Sequence, residues 1–252
     1  MAKKNTFRKI NSKVEKKPAI WVNIKRMIMK LILYFFVLSV GSVIILKFLP
    51  VPFTLTMLDQ KINSISNGQN SKIHYNWRSY HFVSREMHLA AVAAEDQLFP
   101  DHWGFDFKSM KNAFSNNLKN KKVRGASTIS QQVAKNVFLW QGRSYLRKGL
   151  EAYFTVLIEL IWGKQRILEV YVNVAEMGTN TFGAEAASKK YFGKNASDLN
   201  RREAAKLAAV LPSPKKWSVS KPGPYVSRRV VKIEKQMRAL GGPSYLKNLR
   251  SF

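Results

Sequence analysis

Leu89-Ala-Ala-Val-Ala-Ala-Glu-Asp-Gln-Leu-Phe-Pro-Asp-His-Trp-Gly104 sets an acidic pair at the end of an almost wholly apolar run. The small side chains of 89–94 let a helix pack closely inside a core. Glu95 is therefore expected to emerge where that helix meets a pocket wall rather than open water. A carboxylate so placed loses hydration, which raises its pKa towards neutrality and suits it to take or give a proton during a reaction. An ordinary helix end with two solvated acids has the same local sequence, so the decision rests on what the rest of the chain supplies.

The chain has 252 residues and is 46% hydrophobic, enough for a real core in one large or two small domains. Its 43 Lys and Arg face 15 acids, a formal charge of +28, which draws it to something anionic: nucleic acid, a phospholipid surface or a phosphorylated substrate. The absence of cysteine removes disulfide scaffolds, Cys-ligated zinc and thiol nucleophiles together. Residues 1–30 hold ten Lys or Arg and a single acid, Glu15, without hydrophobic periodicity. From Leu31 to Leu46 the chain is uncharged and apolar. Extended through Ile28 and Leu49, with Lys30 and Lys47 snorkelling, it reaches the roughly 20 residues of a membrane span. A cleaved signal peptide is the competing reading, but the basic region is too long and no Ala-x-Ala-like site follows before Pro50. The positive-inside rule keeps the basic tail in the cytoplasm and puts everything after Pro50 across the membrane. That exported part is itself basic, which disfavours nucleic acid and favours lipid headgroups or a phosphate-bearing substrate. The expected organisation is a basic tail at 1–27, an anchor at 28–49, a membrane-proximal linker at 50–75, a folded domain at 76–245 and a C-terminal tail at 246–252.

Beyond Arg85 the pattern is helical nearly throughout, so the expected fold class is mostly α. Asp106, Ser144 and Asn200 stand as helix caps, and Thr128 with Gln131 and Asn200 with Glu203 have capping-box spacing. Gly163, Pro212 and Gly241-Gly242 mark helix ends. The helix that Thr128 opens would offer N–H groups and a positive dipole end, which suits a phosphate or pyrophosphate. Ser127, Gln131 and Lys135 recur every four residues on one face, and Arg143, Arg147 and Lys148 follow closely, so a cationic pocket is expected. Glu151 stands four residues after Arg147 and three after Lys148, a carboxylate held among cations beside a buried stretch. A desolvated Glu95 and a paired Glu151 would be two carboxylates pushed towards different pKa values, which separates acid from base roles. His74, His81, His88 and His102 lack metal-ligand spacing. Two Ser-x-x-Lys matches, at 213–216 and 218–221, lie in a Pro-rich loop without a Lys-Thr-Gly, and no nucleotide-binding glycine fingerprint is present.

In order along the chain these motifs resemble the family of peptidoglycan glycosyltransferases, which polymerise lipid II. The resemblance rests on Glu95-Asp96 with Phe99, His102 and Gly104, on Gly125 with Ser127-Thr128-Ile129, Gln131-Gln132 and Lys135-Asn136, and on Arg147-Lys148 with Glu151. It continues through Ile167-Leu168-Glu169, Tyr171 and Asn173, then Arg202-Glu203-Ala204-Ala205, Leu207-Ala208-Ala209 and Leu211-Pro212. With the anchor before it and no penicillin-binding domain after it, the chain is similar to the monofunctional, proteobacterial form. The resemblance implies a lysozyme-like glycosyltransferase domain behind a single N-terminal transmembrane helix. It also implies an inverting reaction that extends a β-1,4-linked glycan and releases undecaprenyl pyrophosphate. Glu95 then corresponds to the general base on the acceptor 4-hydroxyl and Glu151 to a second carboxylate, whose task (orienting cations, helping a metal or tuning the donor) stays open.

Lys135, Arg143 and Arg147 correspond to positions at or near the pyrophosphate, with Ser127, Gln131 and Gln132 lining the site. Asp96, Phe99, His102, Thr128, Asn136 and Lys148 complete the implied substrate-binding set. A divalent cation, Mg2+ or similar, bound largely through the pyrophosphate, is the expected cofactor. Expected partners are lipid II and the growing glycan strand, membrane lipids and other cell-wall synthesis proteins, with no nucleic acid. The expected location is the bacterial inner membrane, with the catalytic domain periplasmic and apolar residues between Phe107 and Leu118, Phe114 among them, dipping into the bilayer. A lysozyme-like hydrolase or lytic transglycosylase would also use two carboxylates. The cations around Lys135, Arg143 and Arg147 separate the two readings, because cleaving a sugar–sugar bond releases no pyrophosphate. In a third reading, a tethered noncatalytic lipid-binding or scaffold protein, Glu95 and Glu151 would not matter individually.

Overall fold

The structure, a computed structural model, describes residues 19–68, 72–119, 127–142 and 144–250. The chain divides into two compact units, 1–42 and 43–252. The described part of the first belongs to a single helix, α1 (Ala19–Phe48). This helix starts inside the stretch expected as a basic tail. Once the apolar run has nucleated it, each further residue adds a hydrogen bond, and 19–27 contain no Gly or Pro to stop propagation. Asn23–Phe48, 26 residues, is long and apolar enough to cross a membrane. At 1.5 Å per residue it spans about 39 Å, against about 30 Å of hydrocarbon core.

The second unit opens with the last turns of α1. The Trp162 indole N–H donates to the Val43 carbonyl at 2.7 Å, and the Arg166 guanidinium donates to the carbonyls of Leu46 at 2.8 Å and Leu49 at 2.5 Å. Carbonyls at a helix C-terminus lack intrahelical donors, and a cation also suits the negative end of the dipole. The following segment, expected as a linker, is instead built into the domain. Thr54 caps α2 (Leu55–Ser66) by accepting the Met57 amide at 3.2 Å, and the Tyr75 hydroxyl reaches back to the Val51 carbonyl. Val51, Met57 and Gln60 are buried. With only Met57 and Gln60 buried on the helix itself, its inward face carries a weak hydrophobic signal.

The remaining helices are α3 (Arg85–Glu95), α4 (Phe107–Lys119), α5 (Ile129–Phe138), α6 (Tyr145–Ile161), α7 (Gly163–Val174), α8 (Ala184–Phe192), α9 (Arg201–Val210) and α10 (Pro224–Ala239). Short strands β1 (His74–Tyr75), β2 (Glu176–Gly178) and β3 (Thr181–Phe182) form a sheet in the order β1-β3-β2, with β1 parallel and β2 antiparallel to β3. The domain is mostly α, as expected. Helix α3 runs through its centre, buried from Met87 to Ala93, and packs on α9, α10 and α7, while α5 packs on α2, α6 and α7. Ala90, Ala91, Ala204, Ala205, Ala208 and Ala209 are fully buried, so α3 and α9 meet through small side chains. The expected caps form: Asp106 accepts the Ser109 amide at 2.8 Å, Ser144 accepts that of Arg147 at 3.1 Å, and both capping boxes close. Residues 246–250 are not a separate tail, because Leu246 is buried and the Gln165 amide donates to the Arg250 carbonyl at 3.2 Å.

Behind α5 lies a buried ion pair that the sequence did not announce. Lys164 Nζ stands 2.6 Å from Glu159 Oε1, which also accepts the Ser130 hydroxyl at 2.5 Å, and the ammonium lies 4.4 Å above the Phe99 ring. Lys164→Met would leave the Glu159 charge with a hydroxyl alone, and is expected to destabilise the fold by about 3–5 kcal/mol. Replacing both partners with Met should recover most of that loss, because no unpaired charge remains. Denaturant melts of the detergent-solubilised protein check both, and additive losses in the double variant would count against the coupling.

Candidate active site

Asp96 leaves α3 with a non-helical backbone and turns its carboxylate inward. Oδ2 accepts the Ile129 amide at 3.0 Å, and His102 Nε2 lies 2.9 and 3.1 Å from the two carboxylate oxygens. Glu95, one residue earlier, lines a cavity of about 910 Å³. Its Oε2 accepts from Gln132 Nε2 at 3.1 Å and its Oε1 from the Arg229 guanidinium at 3.2 Å. The Tyr171 hydroxyl in turn donates to Gln132 Oε1 at 3.4 Å, fixing which way the amide points. Burial pushes the Glu95 carboxyl above the usual carboxylate range, and the Asp96 charge adds to this. The Gln132 hydrogen bond, Arg229 and Lys135 oppose the shift without cancelling it.

Helix α5 forms another wall. Thr128 accepts the Gln131 amide at 3.2 Å, donates its hydroxyl to the Gly104 carbonyl at 2.6 Å, and donates its own amide to Gln131 Oε1 at 3.0 Å. Gly104 is required here: its φ is +77°, and a Cβ would stand 2.6 Å from Thr155 Cγ2. The start of α5 is not the open anion site expected from the sequence, because Asp96 and Thr128 already take the amides of Ile129 and Gln131. Cationic side chains remain. Lys135 faces the main cavity and a recess of about 170 Å³ beside it. Burial lowers the Lys135 pKa and the neighbouring Arg147 and Lys148 push it the same way, while Glu151 and Glu95 push it up. Glu151 is buried, with Arg147 at 3.1 Å and Lys148 at 2.5 Å.

Of the residues singled out from the sequence, Glu95, Ser127, Gln132 and Lys135 share the cavity, and Asn136 lines the recess that Gln132 and Lys135 join to it. Glu151, Arg147 and Lys148 stand within electrostatic reach of Lys135. Asp96 and Thr128 touch the wall, but their polar atoms are committed to the protein, and Gln131 closes the capping box. Phe99 does not reach a ligand: it is fully buried under Lys164. His102 orients Asp96 rather than facing the cavity wall. Arg143 and Gly125 lie outside the described residues, as do the side chains of Phe114 and Leu118, whereas Phe107 and Met110 are exposed. Sequence reasoning missed Arg229, which meets Glu95 across 134 residues, and did not place Tyr171 in the site. The only signal for Arg229 is its place beside the buried stripe of Val226, Val230 and Ile233 on α10. Among the described residues no three His, Asp or Glu converge, and Glu95 and Glu151 each hold a cationic partner.

The transglycosylase family model matches residues 60–238. The chain is 51% identical over 224 residues to a biosynthetic peptidoglycan transglycosylase of Pseudomonas entomophila, covering 89% of this chain and 95% of that protein. Proteins of the same name from Pseudomonas aeruginosa and Stutzerimonas stutzeri are each 50% identical, over 89% and 88% of this chain and 97% and 91% of their own lengths.

The Glu95 geometry has a consequence independent of any reaction. A carboxyl raised above its unfolded value of about 4.3 adds stability below that value and loses it as pH rises through the folded-state pKa. Glu95→Gln fixes the neutral form. It is expected to melt above the parent chain at neutral pH and to lose that advantage in acid, as thermal melts at the two pH values would show. Equal melting at neutral pH would argue against a desolvated Glu95.

Proposed function

The chain belongs to the transglycosylase family, and on that premise we propose that it polymerises lipid II into β-1,4-linked peptidoglycan strands with release of undecaprenyl pyrophosphate. The observation that carries the mechanism is Glu95 on the wall of a cavity of about 910 Å³ that Lys135 shares. An acceptor sugar hydroxyl is a poor nucleophile at neutral pH. Glu95, with its pKa raised by burial, takes the proton of the acceptor 4-hydroxyl as that oxygen attacks the donor's anomeric carbon. The bond to the pyrophosphate oxygen breaks on the opposite side, which inverts the anomeric centre. Gln132 and Arg229 each hold one Glu95 oxygen, aiming the carboxylate before substrate arrives. Charge developing on the leaving oxygen is met by Lys135, with Arg147 and Lys148 behind it. Glu151 keeps those cations in place. A divalent cation, Mg2+ or similar, would take its ligands mainly from the pyrophosphate, and no step here depends on it.

The one helix among the described residues that is long and apolar enough to cross a membrane fits a single-pass anchor. Lys25, Arg26 and Lys30 near its start support a cytoplasmic N-terminus and a periplasmic catalytic unit at the inner membrane. Enzyme and lipid-borne substrate are then confined to the same two dimensions, where membrane lipids and other cell-wall synthesis proteins are the natural neighbours.

Labelled lipid II, Mg2+ and the detergent-solubilised protein should give a ladder on a gel that lysozyme collapses, whereas shortening of pre-formed strands would favour a lytic enzyme. Glu95→Gln should lower the polymerisation rate by about 10²–10⁴-fold, and near-normal turnover would sink its role as base. The rate should fall as pH drops through the raised Glu95 pKa. Gln132→Ala removes a bond that favours the carboxylate, so its pH–rate profile should show the acid limb moved to higher pH.

A further inference from the structure

Helix α2 has two faces of opposite chemistry. Met57 and Gln60 are buried on its inner side, and Thr56 and Gln60 line a cavity of about 480 Å³ that shares Pro212 with the catalytic cavity. The outer side carries Leu55, Leu58, Ile62 and Ile65, which are 38, 45, 56 and 59% exposed. Their spacings of three and four keep them on one stripe. Phe53, just ahead of the helix, is exposed as well. Four large apolar side chains aligned beside a functional cleft mark a contact surface rather than ordinary surface scatter.

Three observations favour lipid as the occupant. Residues 49–54 are all that separate the end of α1 from α2, at most about 20 Å of chain. Both ends of that link are fixed to one unit: Trp162 and Arg166 hold the last turns of α1, and α2 is seated on α5. The chain beyond the basic tail, residues 31–252, is also strongly basic, with 33 Lys and Arg against 14 acids, which suits anionic headgroups. We propose that α2 is an interfacial helix, its Leu55, Leu58, Ile62 and Ile65 face set into the headgroup–acyl boundary of the membrane that α1 spans, its opposite face walling the cleft. This rests on reading α1 as membrane-spanning. It holds the cleft at headgroup level, where a lipid-linked pyrophosphate sits.

The chain has no cysteine, so single-cysteine variants take an environment-sensitive fluorophore at one chosen place. Leu58→Cys, Ile62→Cys, Ile65→Cys, Asn63→Cys and Val37→Cys would be labelled in the full chain and reconstituted into phosphatidylethanolamine–phosphatidylglycerol vesicles containing brominated acyl chains. A face about 5–10 Å into the boundary predicts blue-shifted emission and bromine quenching at 58, 62 and 65, several-fold stronger than at 63, with Val37 in α1 quenched too. Quenched Val37 beside water-like, unquenched Ile62 would overturn the proposal while leaving the anchor intact. An unquenched Val37 would overturn the anchor reading and this one with it. Blue-shifted labels on α2 without quenching would place a protein there, a second copy or another chain, and would equally overturn the lipid assignment.

Discussion

The clamp that Asp96 makes between α3 and α5 sets the rest of the site. Its buried carboxylate is tolerable because the Ile129 amide and His102 both donate to it. With those bonds in place the end of α3 is joined to the start of α5. Gln132 and Lys135, three and six residues beyond Ile129, then fall where they line the cavity with Glu95. Asp96 also has a chemical cost. It takes an amide at the N-terminus of α5 that could have held a phosphate, so an anionic leaving group must be met by side chains. In the proposed reaction Lys135, with Arg147 and Lys148 behind it, takes the part that the start of α5 would otherwise have played.

The two carboxylates have different surroundings. Glu95 is desolvated more than its partners compensate, so its carboxyl is raised, while Glu151 has a cation on each oxygen. Lys135 lies under the influence of both. The close alanine packing of α3 on α9, the Gly104 turn and the Lys164–Glu159 pair form the buried structure around them.

What was legible in the sequence was local. The Thr128 and Asn200 capping boxes, the Ser144 cap, the Gly163 break and the Arg147–Lys148–Glu151 cluster all form within three or four residues, and each stands where its spacing put it. Contacts that depend on how the helices fold together left no such trace. Arg229 joins Glu95 only because α10 folds back onto α3, and Lys164 meets Glu159 across the bend between α6 and α7. Phe99 shows the other limit: membership of a motif does not tell a cavity wall from the layer beneath it. Helix α2 escaped notice because its strongest apolar pattern faces outwards.

The connection from the end of α1 to the base runs through α7. Arg166 on that helix supplies donors to the last carbonyls of α1, pairs with Glu169 at 2.9 Å, and lies over the Trp77 ring at 5.0 Å, so its guanidinium is held on several sides. The last carbonyls of a helix lack intrahelical donors, so these bonds satisfy groups that would otherwise stay unpaired. Five residues along the same helix, Tyr171 donates to Gln132, which donates to Glu95. Asn173 then ties the helix to the Arg78 backbone from both ends of its amide. Helix α7 thus joins the carbonyls of Leu46 and Leu49 at one end to the residue that aims the base at the other. Loosening Arg166 would therefore act on turnover through position, without touching the reacting groups.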